Sequence, residues 1–463
     1  VSGSVDLLVV GGGVCGASAA YEATRRGHSV LLVERGDFGS GASSNSLRIL
    51  HGGLRYLQSL DASRYFESVR ERRRLMQLAP AWVRPLPVRL DTSRRSVLYR
   101  LALRAGLQLN ELASLHRNRG LDRARHLPRS RYPLWYDALA EDPERILLAM
   151  LHSAVALGEG RTQVHNYARL EGLKLDPAGG KRARVSGLGE VLAREVLLCV
   201  GAGSNALPPL LAMNVVVDTR PMNAGGVAVG LRHPDDGRNV FVVPWRGCSV
   251  IGTYYRDYVG APDAALRVER AWLDEFLAWL ACVHPELRLA PHELRLLQAG
   301  LLPRARPGDT QPGDRPHIAR GSCGELRVQP VKWTTAYGVA EQALDALSLE
   351  PRQAPRAARG LQPLLDARSD PARSERERSD APFAGASFGA REVLFAVERE
   401  WARELADVLL RRTGAASTGH PGRSLVDAVS SVLQRKFDWP DAERRARIEE
   451  FDASFPFLGG RRP

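Results

Sequence analysis

Four residues near the start of the chain have types and spacing suited to holding a dinucleotide: Gly11, Gly13 and Gly16, in the order GxGxxG, and Glu34 about 20 residues further on. Each glycine has a task. Gly11 makes a tight turn, Gly13 lets backbone approach a pyrophosphate, and Gly16 lets a helix pack close on the preceding strand. A helix that opens here presents unpaired N–H groups and its positive dipole end to phosphate oxygens. Glu34 suits ribose hydroxyls, which argues against a 2′-phosphate and leaves NAD and FAD open. Beside His51, the paired glycines Gly52 and Gly53 again invite a ligand against backbone. No serine-hydrolase elbow, HExxH zinc motif or phosphate-transfer loop is present, so a bound cofactor carries the chemistry and no metal site is expected.

These residues need a strand, a helix and a second strand to hold them. Val5 to Val10 is almost wholly apolar and ends in glycine, the pattern of a buried strand in a parallel sheet. Ala17, Ser18, Ala19 and Ala20 keep the helix slim, Gly27 ends it, and Ser29 to Val33 supply the next strand up to Glu34. Downstream, helices are expected over 65–78, 96–115, 141–157, 272–280 and 342–349. Between Val215 and Trp272, short strands alternate with Gly and Pro turns, as in a mixed sheet that floors a substrate cavity. From Glu350 to about Gly389 the composition shifts to Pro, Arg, Ser, Ala and Gly, which predicts a disordered linker, followed by helix-rich stretches at 391–412 and 424–451.

At 463 residues the chain is long enough for two or three domains. Its net charge of +13 could suggest an anionic partner, but only Lys174, Lys181, Lys332 and Lys436 are lysines among 65 basic residues. With no dense basic run interleaved with aromatics, nucleic acid is not expected. The five cysteines are odd in number and form no CxxC pair, which favours a reducing compartment. No leader-like segment precedes the first strand and no apolar run approaches the ~20 residues that span a bilayer. The expectation is a cytoplasmic chain, or one peripheral to the inner face of a membrane. The amphipathic stretch 96–115, with Arg100 and Arg104 among its apolar residues, is the candidate for such contact.

The segments ERGDFGSGASS, HGGLRYL, RERRRLMQLAPAWVRPLPV, AEDPERILLAM, LLCVGAGSNAL, NVFVVPWRGCSVIGT, VKWTTAYGVAEQALD and VLFAVEREWARELADVLLRRT are similar to the FAD-dependent glycerol-3-phosphate dehydrogenases, within the D-amino-acid-oxidase-like flavoenzymes. The resemblance covers almost the whole chain. It implies FAD as cofactor and an α/β fold: a Rossmann-like FAD-binding domain (1–58, 140–213 and 298–349), a mixed-sheet substrate domain (59–139 and 214–297), the linker 350–389, and a C-terminal helical cap (390–463). It also implies hydride transfer from a CH–OH carbon of a small anionic substrate to the flavin; no sequence feature identifies the electron acceptor, whether quinone or dioxygen. A related enzyme acting on an amine or another hydroxy compound, or a silent flavin-binding partner protein, stays open.

By the same resemblance the cofactor is held by Gly11, Gly13, Gly16, Glu34, Arg35, Ser43, Ser44, Ser46, Arg48, His51, Gly52, Gly53, Val164, Gly201, Lys332 and Thr334. His51, Arg55, Arg315 and Lys332 are the implied catalytic and substrate-binding residues. Asn223, Gly226 and Leu302 stand where the family pattern has lysine, histidine and arginine, with Arg304 or Arg306 as substitutes for the last.

Overall fold

The computed structural model describes residues 4–54, 56, 61–91, 97–113, 134–204, 207–261, 266–313, 315–330, 332–350 and 381–455, with short pieces at 352–353, 355, 360 and 362–366. Its strands are β1 (Ser4–Val10), β2 (Val30–Val33), β3 (Ile49–Leu50), β4 (Val83–Leu90), β5 (Leu134–Ala140), β6 (Thr162–His165), β7 (Leu170–Leu175), β8 (Lys181–Val185), β9 (Gly189–Leu198), β10 (Leu210–Asp218), β11 (Ala228–Arg232), β12 (Asn239–Trp245), β13 (Cys248–Asp257), β14 (Leu294–Leu302), β15 (His317–Arg320) and β16 (Leu326–Gln329). The helices are α1 (Val14–Arg25), α2 (Ala62–Leu78), α3 (Val97–Ala113), α4 (Pro143–Gly158), α5 (Arg270–Val283), α6 (Ala336–Asp345), α7 (Ala390–Glu400), α8 (Arg423–Phe437) and α9 (Asp441–Ala453).

Among the described residues the first sheet runs β15-β16-β9-β1-β2-β6, with the β7-β8 hairpin joined to β9. Strand β1 pairs in parallel with β2 on one side and β9 on the other, so the strand order reverses at β1 and a crevice opens at its carboxyl end. Both faces of β1 are covered, which explains its unbroken apolar run. Leu7 and Val9 pack with the side of α1, α4 and α6, while Leu8 and Val10 pack with Ala183, Val185 and Val191. At the turn, a side chain at Gly11 would stand 2.4 Å from the Cys199 carbonyl, and one at Gly16 would stand 1.8 Å from the Gly11 carbonyl. Gly11 also has φ +107, so neither position admits another residue without moving backbone.

The second sheet runs β14-β10-β13-β12-β11-β4-β5-β3 and is mainly antiparallel. One face packs Leu211, Met213 and Val215 against Leu273, Phe276 and Leu280 of α5. The C-terminal helices have their own core, which includes Val393, Val408, Val426 and Ile448.

Several boundaries differ from the sequence expectation. β10 and β14 lie whole in the second sheet, so divisions at 213 and 298 cut through strands, and β3 belongs to that sheet as well. The helix expected at 342–349 runs instead over Ala336–Asp345. The stretch 391–412 breaks at Trp401, which takes φ +59 and ends α7 before a π-helical turn at Asp407–Arg412. Much of the expected linker lies outside the described residues, but 362–366 is packed: Leu364 is buried and donates its N–H to the Leu78 carbonyl, and Leu365 N–H donates to Ser153 Oγ. Among the described residues, no helix is long and apolar enough to cross a membrane.

Candidate active site

A cavity of about 2220 Å³ joins the carboxyl end of β1 to the open face of the second sheet. At the β1 end it is lined by Gly11, Gly13, Glu34 and Arg35, and then by Ser43, Ser44 and Ser46. Glu34 closes β2 with its carboxylate accepting from the Gly12 N–H at 2.7 Å and the Gly36 N–H at 2.9 Å. Ser43 Oγ accepts from the Val14 N–H at 3.0 Å, in the first turn of α1, and a Cβ on Gly13 would sit 3.1 Å from that oxygen. Trp333 Nε1 donates to the Ser43 carbonyl, tying the segment that carries Lys332 and Thr334 to the serine loop. Both of these residues line the cavity, as does Gly201.

Toward the second sheet the cavity meets Arg48, His51 and Gly53. Arg48 is buried, with its guanidinium 3.8 Å from the Trp245 ring centre and 3.3 Å from Glu144. Burial pushes the Glu144 carboxyl up, and the Arg48 charge opposes that shift. His51 is half-exposed, lies 5.4 Å from the Phe241 ring, and places Nδ1 3.1 Å from Asp137 Oδ2. Asp137, on β5, also accepts from the Gly52 N–H at 2.7 Å, from Arg72 at 3.0 Å and from Trp135 at 3.3 Å. Burial alone pushes the Asp137 carboxyl up, but the hydrogen bond from His51, the Arg72 charge and the Gly52 N–H bring it down to about 2. An ionised carboxylate only accepts, so His51 Nδ1 is the donor in this bond.

Sequence reasoning missed Asp137. The available signal was an acid inside the otherwise apolar strand LWYDALA, a position that needs a buried partner.

Other expected residues sit elsewhere. Gly16 packs α1 on β1, Gly52 lies over the Arg72 guanidinium, and Val164 is buried on β6; none of the three lines the cavity. Arg315 is exposed, 3.7 Å from Asp61, and also lies off the cavity. Arg55 lies outside the described residues. Arg304 is buried and committed to Asp257 and to the Pro208 and Asp309 carbonyls, and Arg306 is exposed; neither substitutes for Leu302, which does line the cavity. Asn223 is buried against Ser249 and Gly226 lies in an exposed turn, so those two departures fall outside the cavity wall. Five lining arginines went unnoticed in the sequence, Arg169, Arg232, Arg238, Arg267 and Arg411.

The residues present fit a dinucleotide. The phosphate turn is bare of side chains, an acid ends β2, and Gln298 Oε1, in a residue lining the cavity, is buried with no partner among the described residues. Parallel strands with a glycine cradle at their switch point, opening on a second sheet across a shared cavity, define a dinucleotide-binding fold. Residues 6–345 match the family described as FAD dependent oxidoreductase, and the chain belongs to it; residues 362–444 match the C-terminal domain of alpha-glycerophosphate oxidase.

Among relatives, the glycerol-3-phosphate dehydrogenase of Synechocystis is 25% identical over 96% of this chain and 95% of that protein. The mitochondrial glycerol-3-phosphate dehydrogenase of Mus musculus is 30% identical over 74% of this chain, which spans about half (52%) of that longer protein. The fold is shared with glycerol-3-phosphate dehydrogenase from Bacillus halodurans complexed with FAD, at TM-score 0.66 and 22% identity over 98% of this chain and 95% of that one. L-alpha-glycerophosphate oxidase from Mycoplasma pneumoniae with FAD bound gives TM-score 0.55 and 15% identity over 76% and 98%.

Proposed function

We propose that this FAD-dependent oxidoreductase oxidises the secondary alcohol of glycerol 3-phosphate or a close polyol phosphate to the ketone. The observation that carries this reading is the His51–Asp137 pair in the cavity wall, 3.1 Å apart. FAD, when bound, supplies the two-electron acceptor for the hydride that leaves the CH–OH carbon. The cradle of Gly11, Gly13 and Glu34 would hold its dinucleotide portion. His51 Nε2 takes the hydroxyl proton, and the Asp137 carboxylate fixes the ring and offsets the imidazolium charge that forms.

An anionic substrate group needs cations in the cavity wall. Lys332 lies 4.0 Å from the Tyr56 ring centre, on the cavity wall. Arg232 follows Gly230 by two residues on β11, hence on the same face, and Gly230 stands opposite Phe241, the neighbour of His51. With Arg267 it offers a charged end for a phosphate near the proton acceptor. Anaerobic mixing with glycerol 3-phosphate should bleach the oxidised-flavin band near ~450 nm. If a panel of 2-hydroxy acids or amines bleaches it and glycerol 3-phosphate does not, the substrate assignment is wrong.

We further infer that α3 rests on an anionic lipid surface. Val97, Leu98 and Leu101 are 63%, 77% and 55% exposed, while Leu103 and Leu107 are buried beneath them. Replacing Leu98 and Leu101 together by glutamate should reduce cosedimentation with anionic liposomes about tenfold or more, through lost apolar insertion and added repulsion. Equal sedimentation of both proteins speaks against the contact.

A further inference from the structure

The C-terminal module reaches the dinucleotide cradle through a closed set of contacts. Asp37, three residues past Glu34, is buried and accepts from Arg411 Nε at 2.6 Å, from Arg412 at 2.6 and 2.8 Å, and from Asn166 at 3.1 Å. Asn166 also donates to the Trp401 carbonyl at 2.7 Å. The Trp401 ring packs edge-on against Phe38 at 5.6 Å, and Phe38 in turn fills the space above Gly12, where a Cβ would meet its ring at 2.5 Å. The loop that carries the ribose-facing acid is therefore held between the phosphate turn and a module that follows it by more than 350 residues.

Arg411 stands apart within this set. Its Nε is taken by Asp37 and its Nη2 by Asp407 at 2.7 Å, which leaves Nη1 with no hydrogen-bond partner among the described residues. The residue lines the same cavity as Glu34, Arg35 and Gly36. A guanidinium fixed on two of its three nitrogens loses little rotamer freedom when the third binds a ligand, and its geometry matches phosphate and hydroxyl oxygens. Arg412 differs in spending its guanidinium on Asp37 and the Glu400 carbonyl, and it does not line the cavity.

We propose that Arg411 is a cofactor-binding residue supplied by the C-terminal module, that its third nitrogen binds the AMP half of FAD, and that module docking and cofactor retention are one coupled event. The proposal rests on the FAD assignment and is independent of the substrate. By linkage, whatever the docked module adds to nucleotide affinity, bound nucleotide returns to docking.

The test uses apoprotein titrated with FAD and, separately, with ADP as a probe that carries the AMP half and the second phosphate without the flavin. Arg411→Ala should weaken both by the same factor, about ten- to a hundredfold for a lost charge-assisted hydrogen bond. ADP should also slow amide exchange across Asp407–Arg412 in the unmodified protein. If Arg411→Ala fails to fold, Arg411→Lys keeps a charge for Asp37 without the third nitrogen and should lose about fivefold or more. Unchanged affinity for both ligands, a loss for FAD with none for ADP, or exchange at Asp407–Arg412 that ADP leaves untouched each overturns the proposal. Apoprotein that takes up neither ligand overturns it together with the FAD assignment, whereas failure of glycerol 3-phosphate as substrate leaves these readouts as they are.

Discussion

Asp37, in the loop that leaves β2, and Asp137, on β5 of the other sheet, are each all but closed to solvent, and each meets arginine. Around Asp37, Arg412 is buried and Arg411 is 12% exposed at the cavity wall, and their charges hold two modules together. Around Asp137, Arg72 and Trp135 are buried, whereas His51 stands at the cavity wall, so part of that charge acts on whatever enters. The same residue type thus serves architecture in one place and, in the proposed mechanism, orients a proton acceptor in the other.

The sharpest way to break this contrast is at the exposed partner. His51→Gln should slow flavin reduction about 10²- to 10⁴-fold, the usual contribution of a positioned base, while unfolding stability stays close to that of the parent. A large drop in stability with little change in rate would make His51 a packing residue. At the other aspartate the pattern should invert. Asp37→Asn leaves two guanidinium groups buried with too little negative charge, which costs about 3–5 kcal/mol and should appear in chemical unfolding of the C-terminal module. An unfolding midpoint unmoved by this change would remove Asp37 from the architecture.

A smaller effect tests the interface by pH. His152 is half-buried and stacks on Trp401 at 4.6 Å; desolvation is the main cause that brings its pKa from 6.5 down to about 4, with Glu400 opposing and Arg145 assisting. The unfolded chain then binds a proton more readily than the folded one. The stabilising contribution is complete above pH 6.5 and is lost as pH falls toward 4, about 3 kcal/mol in all at 1.36 kcal/mol per unit. His152→Phe should remove that portion of the acid sensitivity, read as the difference in stability between the two proteins at pH 7 and pH 4.5. Parallel pH curves would show that the ring takes no part.

The cofactor cradle was legible because its parts are local. Strand, glycines, helix and acid fall within about thirty residues, and the reason for each glycine is backbone contact. Asp137 was not legible because its bond to His51 spans 86 positions, and Arg411 meets Asp37 across 374. Arg315 shows the reverse difference, a motif match whose exposed side chain lies 3.7 Å from Asp61 and off the cavity wall. The break at Trp401 has no glycine or proline to announce it: the ring's contacts with His152 and Phe38 override local helix preference. Packing of 362–366 was hidden by a composition that reads as linker, although one buried leucine and two backbone hydrogen bonds suffice to seat it.

The clasp at Asp37 also sets an order of events during synthesis. At 5–20 residues per second, the 374 positions between Asp37 and Arg411 represent on the order of 20–75 s of translation. Throughout that interval the nascent glycine loop has its strand and helix but lacks the arginines that neutralise its aspartate. A ribosome that terminates before the Arg411 codon releases a chain whose nucleotide cradle is present in sequence yet unclasped, so on the proposed coupling such a chain retains FAD less well than one that carries the module.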